Sequence, residues 1–204
     1  MEIIKTKART VIITMMAIYI PMWFFFILNN VIFSFSPLNH IFGILPRDFS
    51  FTSLIGIMTS WLSHTSFQHI MNNSVSMAGL LFFIALFDKQ VYKIIPLLIL
   101  TSGFSVWLFG SSNSFHVGAS GLVFACLGYI LSSLFLSRRV IYIIPVILSL
   151  MYYGAAYFFN FLNGFIPQEG ISFAGHFGGF MSGILVSFIM NRNVLKNKSE
   201  SLIK

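Results

Sequence analysis

Three short clusters hold the side chains in this chain that could do chemistry. They are His64-Thr-Ser-Phe-Gln-His69-Ile-Met-Asn-Asn73, Gly118-Ala-Ser120-Gly121 and Gly175-His176-Phe-Gly-Gly179-Phe-Met-Ser-Gly183. A serine and a histidine make a nucleophile and its general base when the imidazole comes within hydrogen-bond reach of the hydroxyl. His69 and Asn73 are four apart and share one helix face. Ser120, set between glycines at a loop-to-helix junction, keeps an N–H without an intrahelical partner and lets another backbone approach. His176, Gly179 and Gly183 fall on one face, and the last two form a small-xxx-small contact surface. Ser120, Phe124 and Gly128 form a matching stripe. If the stripes meet, His176 reaches Ser120.

The elements that must position these residues are membrane helices. Of 204 residues, 57% are apolar and 8% charged, with 25 Phe and 10 Met. Soluble domains spend about 25% of their residues on charge, so this chain must be solvated by lipid. Six stretches reach the length of about 20 apolar residues that a crossing needs: 10–28, 66–87, 92–110, 119–137, 139–160 and 171–191. The fourth and fifth form a hairpin around Arg138–Arg139. The first follows Lys5, Lys7 and Arg9 like a secretory signal. It is longer than the usual hydrophobic region and no small-x-small cleavage site closes it, so it reads as a retained signal-anchor. The expected architecture is an all-α, six-helix bundle, one polytopic domain over 1–204.

The net charge of +7 does not imply nucleic acid, whose binders gather basic residues on one face or stripe. Eleven of the twelve basic residues lie in segments that fall on one side of the bundle; Arg47 is the exception. The positive-inside rule makes that side, with both termini, cytoplasmic. The apolar segment 29–65 is expected to lie in the outer interface as short helices, with a turn at Pro46-Arg47-Asp48. The lone Cys126 sits in an apolar run and reads as packing.

Polar side chains inside a span are costly and point to function. Under this orientation the second, fourth and sixth spans run inward, and His69, Asn73, Ser120 and His176 lie about 5–15 Å from the outer ends at 1.5 Å per residue. Each has a plain alternative. A serine beside glycine is usually packing glue, and GxxxG pairs are common. Convergence on one layer is what favours chemistry. A zinc site from His64, His69 and His176 lacks an HExxH pair or a carboxylate at similar depth, so no metal and no cofactor are expected.

At these residues the chain resembles the rhomboid family of intramembrane serine proteases. That family has six helices with termini on one side, an H-x4-H-x3-N run in the second helix, GxSG opening the fourth and HxxGxxxG in the sixth. Here these are His64-x4-His69-x3-Asn73, Gly118-Ala119-Ser120-Gly121 and His176-x2-Gly179-x3-Gly183, and the resemblance runs from about residue 10 to 190. It implies that Ser120 attacks the scissile carbonyl and His176 moves the proton. His69, Asn73 and the Ser120 N–H would stabilise the oxyanion, and Gly118, Gly121, Phe124, Gly179 and Gly183 would support the site. No Asp or Glu inside a span is available as a third member. Phe124 stands where some relatives carry a Tyr stacked on the histidine, so stacking is kept and a hydroxyl lost. The Trp-Arg pair of many bacterial first loops is absent, with Arg47 its partial substitute.

The implied partners are transmembrane protein substrates within the lipid bilayer. They would enter past the fifth span (Tyr152, Tyr153, Tyr157, Phe158, Phe159) and beneath a cap near 161–170. The expected location is a prokaryotic plasma membrane, with the site toward the outer face. Two rivals remain. A catalytically silent relative that binds transmembrane helices would have no use for Ser120 and His176 together. A transporter would need polar groups continuing through the inner halves of the second, fourth and sixth spans, which read as nearly all apolar.

Overall fold

The computed structural model describes residues 2–33, 38–112, 114–136, 140–144, 147 and 173–202, with 173–174 and 193–202 by backbone alone. Among them are seven α-helices: α1 (Glu2–Phe26), α2 (Leu38–Phe42), α3 (Phe51–Thr59), α4 (Phe67–Phe87), α5 (Val91–Phe109), α6 (Ser120–Leu136) and α7 (Phe173–Leu202). Three of them are long and apolar enough to cross a membrane: α1 with the π turn that follows it (Glu2–Ile32), α4 and α5. α6 is predominantly apolar and, at 17 residues, lies at the short end of the spanning range. Only 140–144 and 147 of the expected fifth span, 139–160, are among the described residues. Val140–Tyr142 form a 3-10 turn there. The aromatic face at 152–159 and the cap near 161–170 lie outside them.

Two helix boundaries differ from hydropathy. α1 begins at Glu2 rather than near residue 10, and α7 runs to Leu202 rather than 191. Hydropathy marks where lipid contact begins and ends, whereas the backbone ladder continues into polar sequence as long as nothing breaks it. Local chemistry accounts for the starts of α3 and α4. Ser50 accepts from the Ser53 N–H and Ser66 from the His69 N–H (3.2 Å), each an N-cap that satisfies an orphan donor.

The core lies where α4, α5, α6 and α7 meet. Ile70, Met77, Leu81, Ile84, Ile94, Leu98, Ala125, Ile130 and Val186 are buried there. α6 and α7 approach backbone to backbone. A methyl on Gly179 would strike the Gly121 carbonyl, one on Gly183 the Ala125 carbonyl, and one on Gly128 the Phe180 carbonyl. The small-residue stripe on α6 is thus Gly121–Ala125–Gly128, one position around from the Ser120–Phe124–Gly128 face, and close packing of this kind drives association in lipid. α1 joins the bundle through Tyr19, whose hydroxyl donates to the Ser74 carbonyl (2.6 Å), and Trp23, whose indole N–H donates to Ser74 Oγ (3.1 Å).

Segment 29–65 is helical in part, as expected. α2, α3 and a 3-10 turn (Ser60–Leu62) fold over one end of the bundle, with Phe49 and Phe51 largely exposed. The turn at Pro46–Arg47 is present. Arg47 has φ +58°, and its guanidinium donates to the Leu108 and Gly110 carbonyls (3.1 and 2.9 Å) and Ser112 Oγ (2.9 Å). It caps the C-terminal end of α5, where a cation also meets the helix dipole favourably. A single antiparallel bridge between Ile44 and His116 ties this segment to the loop before α6.

Candidate active site

Three helix N-termini, those of α4, α6 and α7, bring the three clusters together at one end of the bundle. Ser120 is the first residue of α6, so its N–H belongs to the turn that lacks intrahelical acceptors. The approach to it is set by Gly118, whose φ of +111° is open to glycine and strained for other residues. A methyl at Gly118 would come within 2.5 Å of His69 Nε2 and 3.5 Å of Asn73 Nδ2. His69 and Asn73 therefore lie directly against the loop that presents Ser120.

One turn after Ser120, the Phe124 ring stacks on the His176 imidazole, with centroids 4.2 Å apart and planes at 14°. Ser120 and Phe124 are i and i+4 on one face, so the stack holds the imidazole over the Ser120 face of α6. Gly121 lies close by: a methyl there would sit in ordinary contact, 3.5 Å from the carbonyl of Gly175, the residue before His176. Ser120, His69 and His176 are each half-buried, whereas Asn73 is buried. Behind the serine is a small cavity of about 30 Å³, lined in part by Ser60, Ser102, His116 and Ser120. That is room for about one water, with polar partners in reach.

The first histidine of the motif has a role that its spacing did not reveal. His64 is fully buried. Its Nε2 receives the Ala119 N–H (3.3 Å) and the Asn73 amide (Nδ2, 3.0 Å), and its Nδ1 lies 3.3 Å from the Leu62 carbonyl. A backbone N–H can only donate, so Nε2 is an acceptor and the proton sits on Nδ1, which donates to Leu62. Burial holds this imidazole in its neutral form, with the pKa pushed down to about 3; the neighbouring His69 lowers it further while the Leu62 bond opposes the shift. His64 thus grips both Asn73 and the loop before Ser120. It commits one N–H of the Asn73 amide and leaves the other for the Gly118 side. His69 Nδ1 faces the Thr65 hydroxyl at 3.3 Å. A hydroxyl donating there leaves the proton on Nε2, which faces the Gly118 loop.

Among the described residues no group of three His, Cys, Asp or Glu could hold a metal ion. A groove of about 720 Å³ between α5 and α7 is lined mainly by apolar residues, Phe104, Phe109, Phe177 and Met181 among them. Its described lining residues include no titratable group.

A family model described as the rhomboid domain matches residues 52–193, more than half of the chain. The chain belongs to the rhomboid family. With its membrane-length apolar helices, this rhomboid is an integral membrane protein. It is also similar to uncharacterized proteins of Mycobacterium tuberculosis (27% identity over 150 residues, 68% of this chain) and Mycobacterium leprae (27% over 156 residues, 72%). The chain spans 60% of the length of these curated relatives.

The ends of the helices away from this cluster depart from the apolar reading. Asp88, which ends α4, is buried and accepts hydrogen bonds from the Tyr129 and Tyr142 hydroxyls, both at 2.7 Å. Between α6 and α7, Ser133 and Ser187 share a 2.7 Å bond, and the Asn191 amide donates to the Ser187 carbonyl (2.8 Å). These groups are bound to one another across 41 to 54 residues of sequence, or to the next helical turn.

Proposed function

We propose that this rhomboid is an intramembrane serine endopeptidase that uses a Ser120–His176 dyad. The observation that carries the reading is the joint geometry of two contacts. Phe124 stacks His176 over the Ser120 face, and Gly118 brings His69 and Asn73 against the loop that presents Ser120. A nucleophile, a base and a set of N–H donors then surround one point at the end of α6.

In this mechanism Ser120 Oγ attacks the scissile carbonyl carbon while its proton passes to His176. The carbonyl oxygen becomes an oxyanion facing the Ser120 N–H, the free Asn73 N–H and His69 Nε2–H. His176 returns the proton to the leaving amine. Water then attacks the acyl-Ser120 ester with His176 again acting as base, releasing a carboxylate and the serine. Preorganised donors of this kind act without reorganisation at the moment of reaction, and losing one typically costs about 10²–10³ in rate. The small cavity beside Ser120 is a place where the second substrate, water, can wait.

The substrate is a transmembrane protein segment. Its peptide bond must leave its own helix to reach Ser120, so substrates that unwind easily in lipid should be favoured. The charge pattern supports six crossings with both termini cytoplasmic and the site toward the outer face of a prokaryotic plasma membrane. The test is cleavage of a labelled single-span substrate in liposomes by wild type, Ser120→Ala and His176→Ala. Cleavage abolished by both substitutions and unchanged by chelators is the expected result. Binding without cleavage across a broad panel would instead indicate a non-catalytic binder of transmembrane helices.

A further inference from the structure

The end of α1 is not regular. After Phe26 the helix widens into a π turn, Ile27–Ile32, closed by the Phe33 N–H donating to the Leu28 carbonyl. Insertions of this type cost helical regularity and are found frequently at functional sites. Here the widened turn presents two asparagines in different directions. Asn29 is fully buried, donates to Asn39 Oδ1 (2.9 Å) and accepts the Leu38 N–H (2.9 Å), anchoring the start of α2. Asn30 turns the other way. Its amide bridges the Phe26 carbonyl and the His64 carbonyl, both at 3.1 Å.

The second of those bonds crosses 34 residues and ends on the residue that grips Asn73 and Ala119. From Asn30 a continuous set of bonds reaches the Asn73 amide and the backbone one residue before Ser120. His64 stands between two helices, on a short turn whose backbone has few regular partners. The Ser63 N–H closes on Ser60, and the Gly118 N–H reaches the Ser60 carbonyl (3.0 Å). Without the Asn30 bond, the His64 carbonyl loses its tie to α1, and the imidazole is free to shift along with the two donors it holds.

We infer that Asn30, on the π turn of α1, is a positioning residue that acts through His64 to set the Asn73 amide and the Ala119–Ser120 backbone for the oxyanion. This rests on the proteolytic reading of the Ser120 site. It gives the first helix a part in the chemistry although none of its residues lies in the three motifs. Displacing an aligned group by about 1 Å can cost on the order of 100-fold in rate even when the change is made at a distance.

The test is a double-mutant cycle in liposomes with Asn30→Leu, Asn73→Ala and the double variant, together with exchange at the Ala119 amide. Asn30→Leu should lower kcat about 10- to 100-fold with KM within about twofold. In the Asn73→Ala background it should cost several-fold less than in wild type, because one of the two donors it positions is already gone and only the Ala119–Ser120 backbone remains to be displaced. Exchange of the Ala119 amide should quicken in Asn30→Leu, since its acceptor on His64 has moved. Should Asn30→Leu fail to fold, Asn30→Ser breaks the same reach with less bulk. An unchanged kcat, or losses that multiply in full, would overturn the inference. If wild type cleaves nothing, the proteolytic reading fails and the amide exchange alone still decides whether Asn30 holds His64. Unchanged exchange there would overturn the positioning role as well.

Discussion

The two ends of this helical bundle use similar residue types to opposite effect. Near the start of α6, Ser120, His69 and His176 are half-buried, Ser120 lines a small cavity, and His69 and the Asn73 amide lie against the Gly118 loop that leads into the first turn of α6. At the far end, Asp88, Tyr129, Tyr142, Ser133, Ser187 and Asn191 are all buried, with hydroxyls and amide committed to other protein groups. A polar side chain in lipid is expensive in either place. What separates chemistry from architecture is access and spare hydrogen-bonding capacity. The same contrast weakens the transporter alternative. The polar groups at the far end form short clusters, bonded from helix to helix at Asp88 and at Ser133–Ser187 and within one helix at Asn191.

Mutations should read this difference as opposite signatures. Asn73→Ala should lower kcat by about 10²–10³ with little change in Tm, because one oxyanion donor is lost while His64 keeps its bond to Ala119. Cleavage kinetics beside a thermal melt check it, and a variant that loses Tm in proportion to rate would erase the distinction between the two ends. Asp88→Ala should do the reverse. It strands two buried phenols at about 1–3 kcal/mol each, so the melting temperature falls while turnover per folded molecule stays within about twofold.

A pH series sharpens the comparison. Because the folded-state pKa of His64 is depressed to about 3 from an unfolded value of about 6.5, its stabilising contribution is complete above pH 6.5 and lost as pH falls toward 3. The loss reaches about 2 kcal/mol by pH 5. Melting temperature measured from pH 7 to 5 should drop in wild type and drop less in His64→Gln. The smallest effect is expected at the Ser133–Ser187 pair. Ser133→Ala should cost about 0.6 kcal/mol, the average for a hydrogen bond between membrane helices, with no effect on cleavage.

Much of the site was legible in the sequence because its parts are local. His64-x4-His69-x3-Asn73, the glycines around Ser120 and His176-x2-Gly179-x3-Gly183 each lie within ten residues, where helical spacing alone says what shares a face. Hydropathy found α4, α5 and α6 to within a residue or two, since apolar length and helix length coincide there. It misjudged α1 and α7, which continue into polar sequence. The features that were not legible depend on partners far apart in the chain. His64 as a clamp needs Ala119, 55 residues on. Asp88 reads as an ordinary polar helix end until Tyr129 and Tyr142 are seen to converge on it. Asn29 and Asn30 look like the end of a span, and only the π turn shows that they point to different anchors.

The central claim is that His176 activates Ser120 for attack on a carbonyl. Reaction with a fluorophosphonate probe, followed by mass mapping of the modified peptide, tests it without any assumption about the natural substrate. A single adduct on Ser120, lost in His176→Ala and strongly slowed in Asn73→Ala, is the expected result. An adduct elsewhere, or labelling of Ser120 that His176→Ala leaves unchanged, would contradict it.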